Sequence, residues 1–367
     1  MLYDGDTVVT AAIPFGSLSG SSMETKPLKK EQVAQKLRRL YAAYGYGRYR
    51  MSNFEEYSFY LKNKNFLSDE RVVAFTDLDG RLLALKPDVT LSIVKNAKAG
   101  DKLYYIENVY RPVGVSYREI EQMGLETLGN IDVRVECEVL TLAAKSLAEV
   151  DENAVLELSH VGVVNGLIDA SPNAADKKDI LRLLQRKNFT EAVEKYPESE
   201  AYLKALFFAD RDAVRSLLGK AGEEYADELD ALVRALRACG AHADVDFSLV
   251  DDERYYNGVI FRGYVEKVPR PILSGGRYDR LLTKMKKDFG GMGFALYLDE
   301  MTVYDERAEY DCDYLILYEN STVSYENAEK LAEELRAEGK TVRVSCDRCP
   351  DLRAGETVRF LAGGQRC

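Results

Sequence analysis

Apolar positions along the 367-residue chain recur at two periods, and changes of period mark the elements. Between Lys26 and Tyr44 they fall three and four apart, at Val33, Leu37, Leu40 and Tyr41, the spacing of one helix face. Gly45-Tyr46-Gly47 predicts the end of that helix, and an extended piece follows through Phe54-Glu55. Val72–Thr76 and Leu82–Leu85 flank Asp77-Leu78-Asp79-Gly80, which predicts a hairpin. Pro87, Asp88 and Thr90 ahead of an apolar run predict a helix start. Lys102–Tyr110 reads as a strand, Glu136–Val150 as an amphipathic helix, and Val155–His160 as a strand.

From Val161 to Ala241 helical patterns take over, at Ile180–Leu184, Ala192–Tyr196, Ala201–Phe208, Ala213–Leu218 and Tyr225–Leu236. Val245–Val250 then reads as a strand. Near the end, Asp313–Tyr318, Tyr325–Glu338 and Thr341–Ser345 predict a parallel β-α-β arrangement, with Gly339 closing the helix. The first 24 residues are Gly/Ser/Thr-rich around Gly16–Ser22 and read as a loosely ordered lead-in.

Composition narrows this picture. Apolar residues make up 46% and charged residues 30%, both globular values. No apolar run approaches a membrane span, and no basic n-region precedes an apolar one, so a soluble, cytoplasmic protein is expected. The net charge of −11 argues against a nucleic-acid partner, since that affinity comes from Lys and Arg against phosphates. Two histidines far apart, His160 and His242, make neither a metal site nor a histidine relay, and His160 reads as a satisfied structural residue. Six scattered cysteines read as reduced thiols, and Cys346-Asp347-Arg348-Cys349 as chance spacing. No metal or cofactor is implied.

Two blocks carry the candidate chemistry. Asp251-Asp252-Glu253-Arg254-Tyr255-Tyr256-Asn257-Gly258 pairs two tyrosines with a turn signal ahead of the apolar Val259-Ile260-Phe261. Ser274-Gly275-Gly276-Arg277-Tyr278-Asp279 reads as a Gly-Gly turn that presents an arginine, a tyrosine and an aspartate. Either block alone is compatible with an ordinary hairpin.

Together they resemble the two histidine-binding signatures of histidyl-tRNA synthetases and of their catalytically silent relatives, the regulatory subunits of ATP phosphoribosyltransferase. Leu85-Lys86-Pro87-Asp88-Val89-Thr90 is similar to the family's Arg-Pro-Glu-x-Thr, with Lys86 in place of the arginine. The stretch from Lys102 through Arg111 to Tyr117–Glu126 resembles the second class II motif. Gly290–Met301 resembles the third, and the helix and strand around Phe54-Glu55 the first, which builds the dimer interface.

The resemblance implies an α+β fold with a class II synthetase-like core of mostly antiparallel sheet. That core covers residues 25–160 and 242–305, with a helical insertion at 161–241 and a truncated anticodon-binding-like unit at 308–367. It also implies a histidine-binding set of Asp88, Thr90, Arg111, Gln122, Glu126, Tyr255, Tyr256 and Tyr278.

Three departures bear on activity. Arg111 and Gln122 stand only 11 positions apart, short for the loop that clasps ATP, and an ungapped alignment puts Asn108 at the arginine position. Asp251 and Glu300 stand where the family places arginines that touch phosphate. Within the insertion, Glu223, Glu224, Asp227, Glu228 and Asp230 suit tRNA poorly. Adenylate formation gathers negative charge that positioned cations must stabilise. A pocket that keeps its amino-acid side and loses its nucleotide side is a sensor's pocket.

The expectation is a subunit without catalytic residues of its own. It would assemble as a homodimer with the short-form catalytic subunit of ATP phosphoribosyltransferase, bind L-histidine and convey feedback. The alternatives are a divergent histidyl-tRNA synthetase or other aminoacyl-adenylate-forming enzyme, and a scaffold with a dead pocket.

Overall fold

A computed structural model describes residues 28–67, 71–250, 255–305, 309–346 and 352–366. The chain divides into two compact units, Lys29–Asp305 and one that takes in the residues from 306 onward.

The first unit opens with α1 (Lys29–Ala43), which buries Val33, Leu37 and Tyr41 and ends at Gly45 with φ +83°. β1 (Gly47–Arg48) and β2 (Phe54–Glu56) lead into α2 (Tyr57–Lys62). β3 (Ala74–Thr76) and β4 (Leu82–Leu85) form the hairpin over Asp77–Gly80, where Gly80 takes φ +85°. With β2 they make a small antiparallel sheet.

α3 (Val89–Asn96) starts at Asp88, whose carboxylate accepts the Leu91 amide at 2.8 Å. β5 (Lys102–Val113) and β6 (Ser116–Gly129) are joined at Gly114, φ +62°. α4 (Val133–Ala148) is capped by Asp132 and runs into β7 (Val155–His160).

Six helices follow before the chain returns to the sheet. They are α5 (Val161–Ala170), α6 (Lys177–Gln185), α7 (Phe189–Lys195), α8 (Glu200–Phe207), α9 (Arg211–Leu218) and α10 (Lys220–Ala238). They close around their own core of Leu167, Ile180, Leu184, Leu203, Val214 and Leu229. β8 (His242–Val245), β9 (Val259–Val265), β10 (Val268–Arg277), α11 (Asp279–Lys284) and β11 (Gly290–Tyr297) complete the unit.

The large sheet has the order β1-β5-β6-β11-β10-β9-β7-β8, antiparallel from β5 through to β7 with a parallel strand at each edge. Alternation sorts its side chains by parity. Met123, Leu125, Phe294, Leu296, Phe261 and Leu273 face α1 and α4 in the main core. Tyr105, Val109 and Leu128 belong to a second core with α3 and α11.

The second unit holds β12 (Cys312–Tyr318), α12 (Thr322–Ala337), β13 (Val342–Ser345) and β14 (Ala354–Phe360). Its sheet is parallel throughout, in the order β13-β12-β14, and Gly339 ends α12 with φ +82°.

Four expectations are corrected. Asn257-Gly258 is not a hairpin turn: the Asn257 amide donates to Arg277 O, and β9 turns into β10 at Glu266-Lys267. Gly275-Gly276 lies inside β10 rather than in a turn. Both glycines answer close approach, because a Cβ at Gly275 would strike Gly293 O and Phe294, and one at Gly276 would strike the Tyr256 ring. The strand before the first block is His242–Val245, and Asp246–Val250 is irregular. The terminal unit adds β14 to the expected β-α-β, a strand not predicted because Gly355, Glu356 and Thr357 are all exposed and only Val358 and Phe360 are buried. The lead-in, Asp251, Arg254 and Cys349 lie outside the described residues.

Gly275→Ala is expected to cost roughly 1–3 kcal/mol, the usual range for forcing extra volume into a packed interior. An unchanged denaturation midpoint would show that the sheet yields locally.

Candidate functional site

The register of the large sheet builds a cavity floor in rows. The first row reads Leu103–Glu126–Gly293–Gly276–Ile260 across β5, β6, β11, β10 and β9. The second reads Tyr105–Gly124–Ala295–Ser274. The third reads Glu107–Gln122–Tyr297. Small residues at Gly124, Gly293, Ala295 and Gly276 hollow the middle of the sheet. A Cβ at Gly293 would fall onto the Glu126 carboxylate.

The result is a cavity of about 230 Å³. It lies below the roughly 300–1,000 Å³ common for drug-sized ligands, so it suits a metabolite of amino-acid size. Asp88, Thr90, Arg111, Gln122, Glu126, Tyr255, Tyr256 and Tyr278 all line it. One cavity therefore gathers residues from α3, β5, β6, the segment before β9 and the end of β10. The alignment left open above resolves onto Arg111, because Asn108 instead donates to Glu119 at 2.5 Å and does not line the cavity.

Glu126 is the most deeply buried carboxyl of the site, 2% exposed. Thr90 donates to its Oε1 at 2.6 Å, and the Tyr278 hydroxyl donates to its Oε2. Burial pushes its pKa up to about 8 against the pull of both donors, and nearby Asp88 adds to the rise. Burial and then Glu126 raise the Tyr278 and Tyr105 phenols well above their usual value.

Asp88 keeps one oxygen on the Leu91 amide and offers the other to Arg111 at 3.4 Å. Its pKa is raised, by burial first, with Arg111 opposing. The Arg111 Nε donates to Pro87 O at 2.7 Å. The Gln122 side chain is 2% exposed, and its amide nitrogen has no partner among the described residues. A buried donor left unpaired costs free energy, and here it borders the cavity. Tyr255 packs as a tilted ring with its centroid 4.7 Å from that of Tyr256 and 6.0 Å from that of Tyr278, walling the other side.

Tyr105, Ser274 and Tyr297 also line the cavity, and Ser274 and Tyr297 share a hydroxyl contact at 2.8 Å. None of the three was among the predicted site residues. The alternation Gly293-x-Ala295-x-Tyr297 carried the signal for the last of them.

Two expectations about charge change. Glu300 does not line the cavity: it sits in a 3-10 turn and pairs with Arg270 at 2.7 Å. Arg111 is the one cation among the described lining residues, and the other expected reversal, at Asp251, lies outside the described residues. The acidic stretch on α10 is partly ion-paired. Asp227 and Asp230 bind Arg215, Asp230 binds Arg211, and Glu228 lies 3.7 Å from His160.

Lys86 is fully buried against Glu107. From β5 to β6 the ladder is unbroken from Lys102↔Thr127 to Val113↔Ser116, so a two-residue turn stands where a clasping loop was anticipated to be short.

Behind Tyr278, the signature arginine enters a second buried cluster. Arg277 bonds Asp279 at 2.8 Å and Glu136 of α4 at 3.2 Å. Glu136, raised to about 7 by burial and then by Glu228, faces α10. His160 caps α5 through the Val163 amide, and burial, with Arg277, holds it down near 4, so it is a neutral structural residue. Among the described residues no group of three or more metal-ligating side chains occurs.

The histidyl-tRNA synthetase family profile matches residues 23–301. A regulatory subunit of ATP phosphoribosyltransferase from Geobacillus thermodenitrificans is 32% identical over 308 residues, 75% of this chain and 76% of that protein. The chain belongs to the ATP phosphoribosyltransferase regulatory subunits, within the histidyl-tRNA synthetase family.

It is a regulatory rather than a catalytic member. A regulatory subunit/histidyl-tRNA synthetase structure from Bacillus halodurans shares the fold, with a TM-score of 0.74 over 94% of this chain and 98% of that one, at 23% identity. An ATP phosphoribosyltransferase complex from Thermotoga maritima contains a chain of the same fold, with a TM-score of 0.59 over 74% of this chain and 98% of that one, at 19% identity. No helix among the described residues is long and apolar enough to cross a membrane.

The Glu126 carboxyl gives the site a pH signature. Its folded pKa is raised, so the folded state holds its proton more tightly than the unfolded chain does. Stability from this group is full below about pH 4.5 and is lost as pH rises to about 8. Glu126→Gln is expected to flatten the stability–pH curve over that window, read by denaturation at matched ionic strength. Parallel curves for the two proteins would place the titration elsewhere.

Proposed function

We propose that the cavity binds L-histidine and that the chain conveys its concentration to the short-form catalytic subunit of ATP phosphoribosyltransferase. The observation that carries this reading is the unpartnered Gln122 amide beside an Asp88–Arg111 pair in a cavity of amino-acid size.

A zwitterion presents an ammonium and a carboxylate on one carbon. Asp88 is placed to accept from the first, and Arg111 to donate to the second. Glu126, held between Thr90 and Tyr278, is suited to accept the imidazole N–H. The tyrosine wall of Tyr255, Tyr256 and Tyr278 offers the ring apolar faces. The unpaired Gln122 donor gains an acceptor when the ligand enters.

The complex from Thermotoga maritima supports the choice of partner. Regulation then follows by linkage: histidine that binds one assembly state better shifts the population toward it. Pairing of two copies inside the hetero-oligomer is part of the same reading. Its support is the apolar Phe54 and Phe75, T-stacked at 5.6 Å yet 47% and 39% exposed on the small sheet.

Calorimetry with L-histidine tests the reading. Asp88→Asn keeps an oxygen for the Leu91 amide but removes the charge, and is expected to weaken histidine binding about tenfold or more, as loss of a charge-assisted contact does. The same variant, reconstituted with the catalytic subunit, should keep phosphoribosyl transfer and lose histidine inhibition. Histidine-dependent ATP–pyrophosphate exchange by the isolated chain would overturn the proposal. So would the absence of any heat with histidine in both the free and the assembled protein.

A further inference from the structure

Tyr297 stands at the end of β11, directly opposite Gln122 in the third row of the floor. Its hydroxyl meets Ser274, which lies opposite Ala295 in the second row. The phenol thus spans a diagonal between neighbouring strands, a reach that a long aromatic side chain covers easily. It is half-buried and lines the cavity.

The two ends of the floor differ in kind. Glu126, with Thr90 and Tyr278, closes the first row. Beyond Gln122 in the third row, the wall offers a tied tyrosine and no further cation among the described lining residues. A ligand of one amino acid fits between them. A ligand extended through its carboxylate into a phosphate and a nucleoside has to run over the third row, where Tyr297 stands.

We infer that Tyr297, fixed by Ser274, limits the cavity to a free amino acid and excludes the same amino acid in nucleotide-linked form. The inference rests on the histidine reading above. It assigns the loss of adenylate chemistry to a steric stop beside Gln122, in place of the charge reversal expected at Glu300. The ring, more than its hydroxyl, is the barrier, because the Ser274 contact only holds the phenol in place.

A sulfamoyl-linked histidyl-adenosine, which mimics the adenylate without reacting, is the probe, and calorimetry on the full chain is the readout. The native protein should bind L-histidine and bind the probe at least about tenfold more weakly. Tyr297→Ala should gain roughly tenfold or more in probe affinity, while its histidine affinity changes by less than about threefold.

Tyr297→Phe keeps the ring and should still exclude the probe, which also guards against a variant that fails to fold. Ser274→Ala removes the same contact and keeps the whole phenol, so it should also still exclude the probe. If the native chain binds histidine but a folded Tyr297→Ala gains nothing, the stop is overturned while the histidine reading stands. Equal native affinity for histidine and probe also overturns it. If histidine itself does not bind, the underlying reading fails and the inference falls with it.

Discussion

A carboxyl group with almost no water around it sets the terms for this structure. Glu126 sits at the centre of the large sheet, and burying a charge without partners is costly. Its neighbours can be read as answers to that cost. Thr90 arrives on the first turn of α3, and Tyr278 comes off the end of β10. Gly293 on the next strand carries no side chain that would collide with the carboxylate. Three elements distant in sequence are thereby brought to one point, and the cavity is the space left between them.

A second constraint comes from sheet parity. The same alternation that sends Leu125 and Met123 into the main core sends Glu126, Gly124 and Gln122 toward the cavity. A strand that slipped by one residue would bury the polar set in the apolar core and strip the cavity of its chemistry. The long, unbroken pairing of β5 with β6 fixes that register.

Much of this was legible in advance. Periodicity located α1, the Asp77–Gly80 hairpin, α4, the helical stretch and the terminal β-α-β because each carries a clean apolar repeat or a glycine stop. The eight predicted site residues were legible because short motifs keep neighbours on one element, Asp88 and Thr90 at the start of α3, Gln122 and Glu126 on β6, Tyr255 and Tyr256 ahead of β9. What spacing could not supply was distance across the sheet. Glycines that serve as floor looked like turn residues, since the chain alone does not reveal a neighbouring strand. Glu300 looked like an anion facing the site, since nothing local announces that Arg270 on another strand takes it up. Tyr297 stood in plain view within a quoted motif, yet its importance depends on Ser274, 23 positions earlier.

Arg277 ties this cavity to its surroundings in a further way. One residue away from Tyr278, it is anchored on Asp279 and reaches Glu136, which faces Glu228 of the helical layer. That layer is therefore not an accessory that could be pared away to leave a minimal core. Cutting it off would open Glu136 of α4, and the Arg277 guanidinium bonded to it, to water, and the ion pair behind the cradle would lose its shelter.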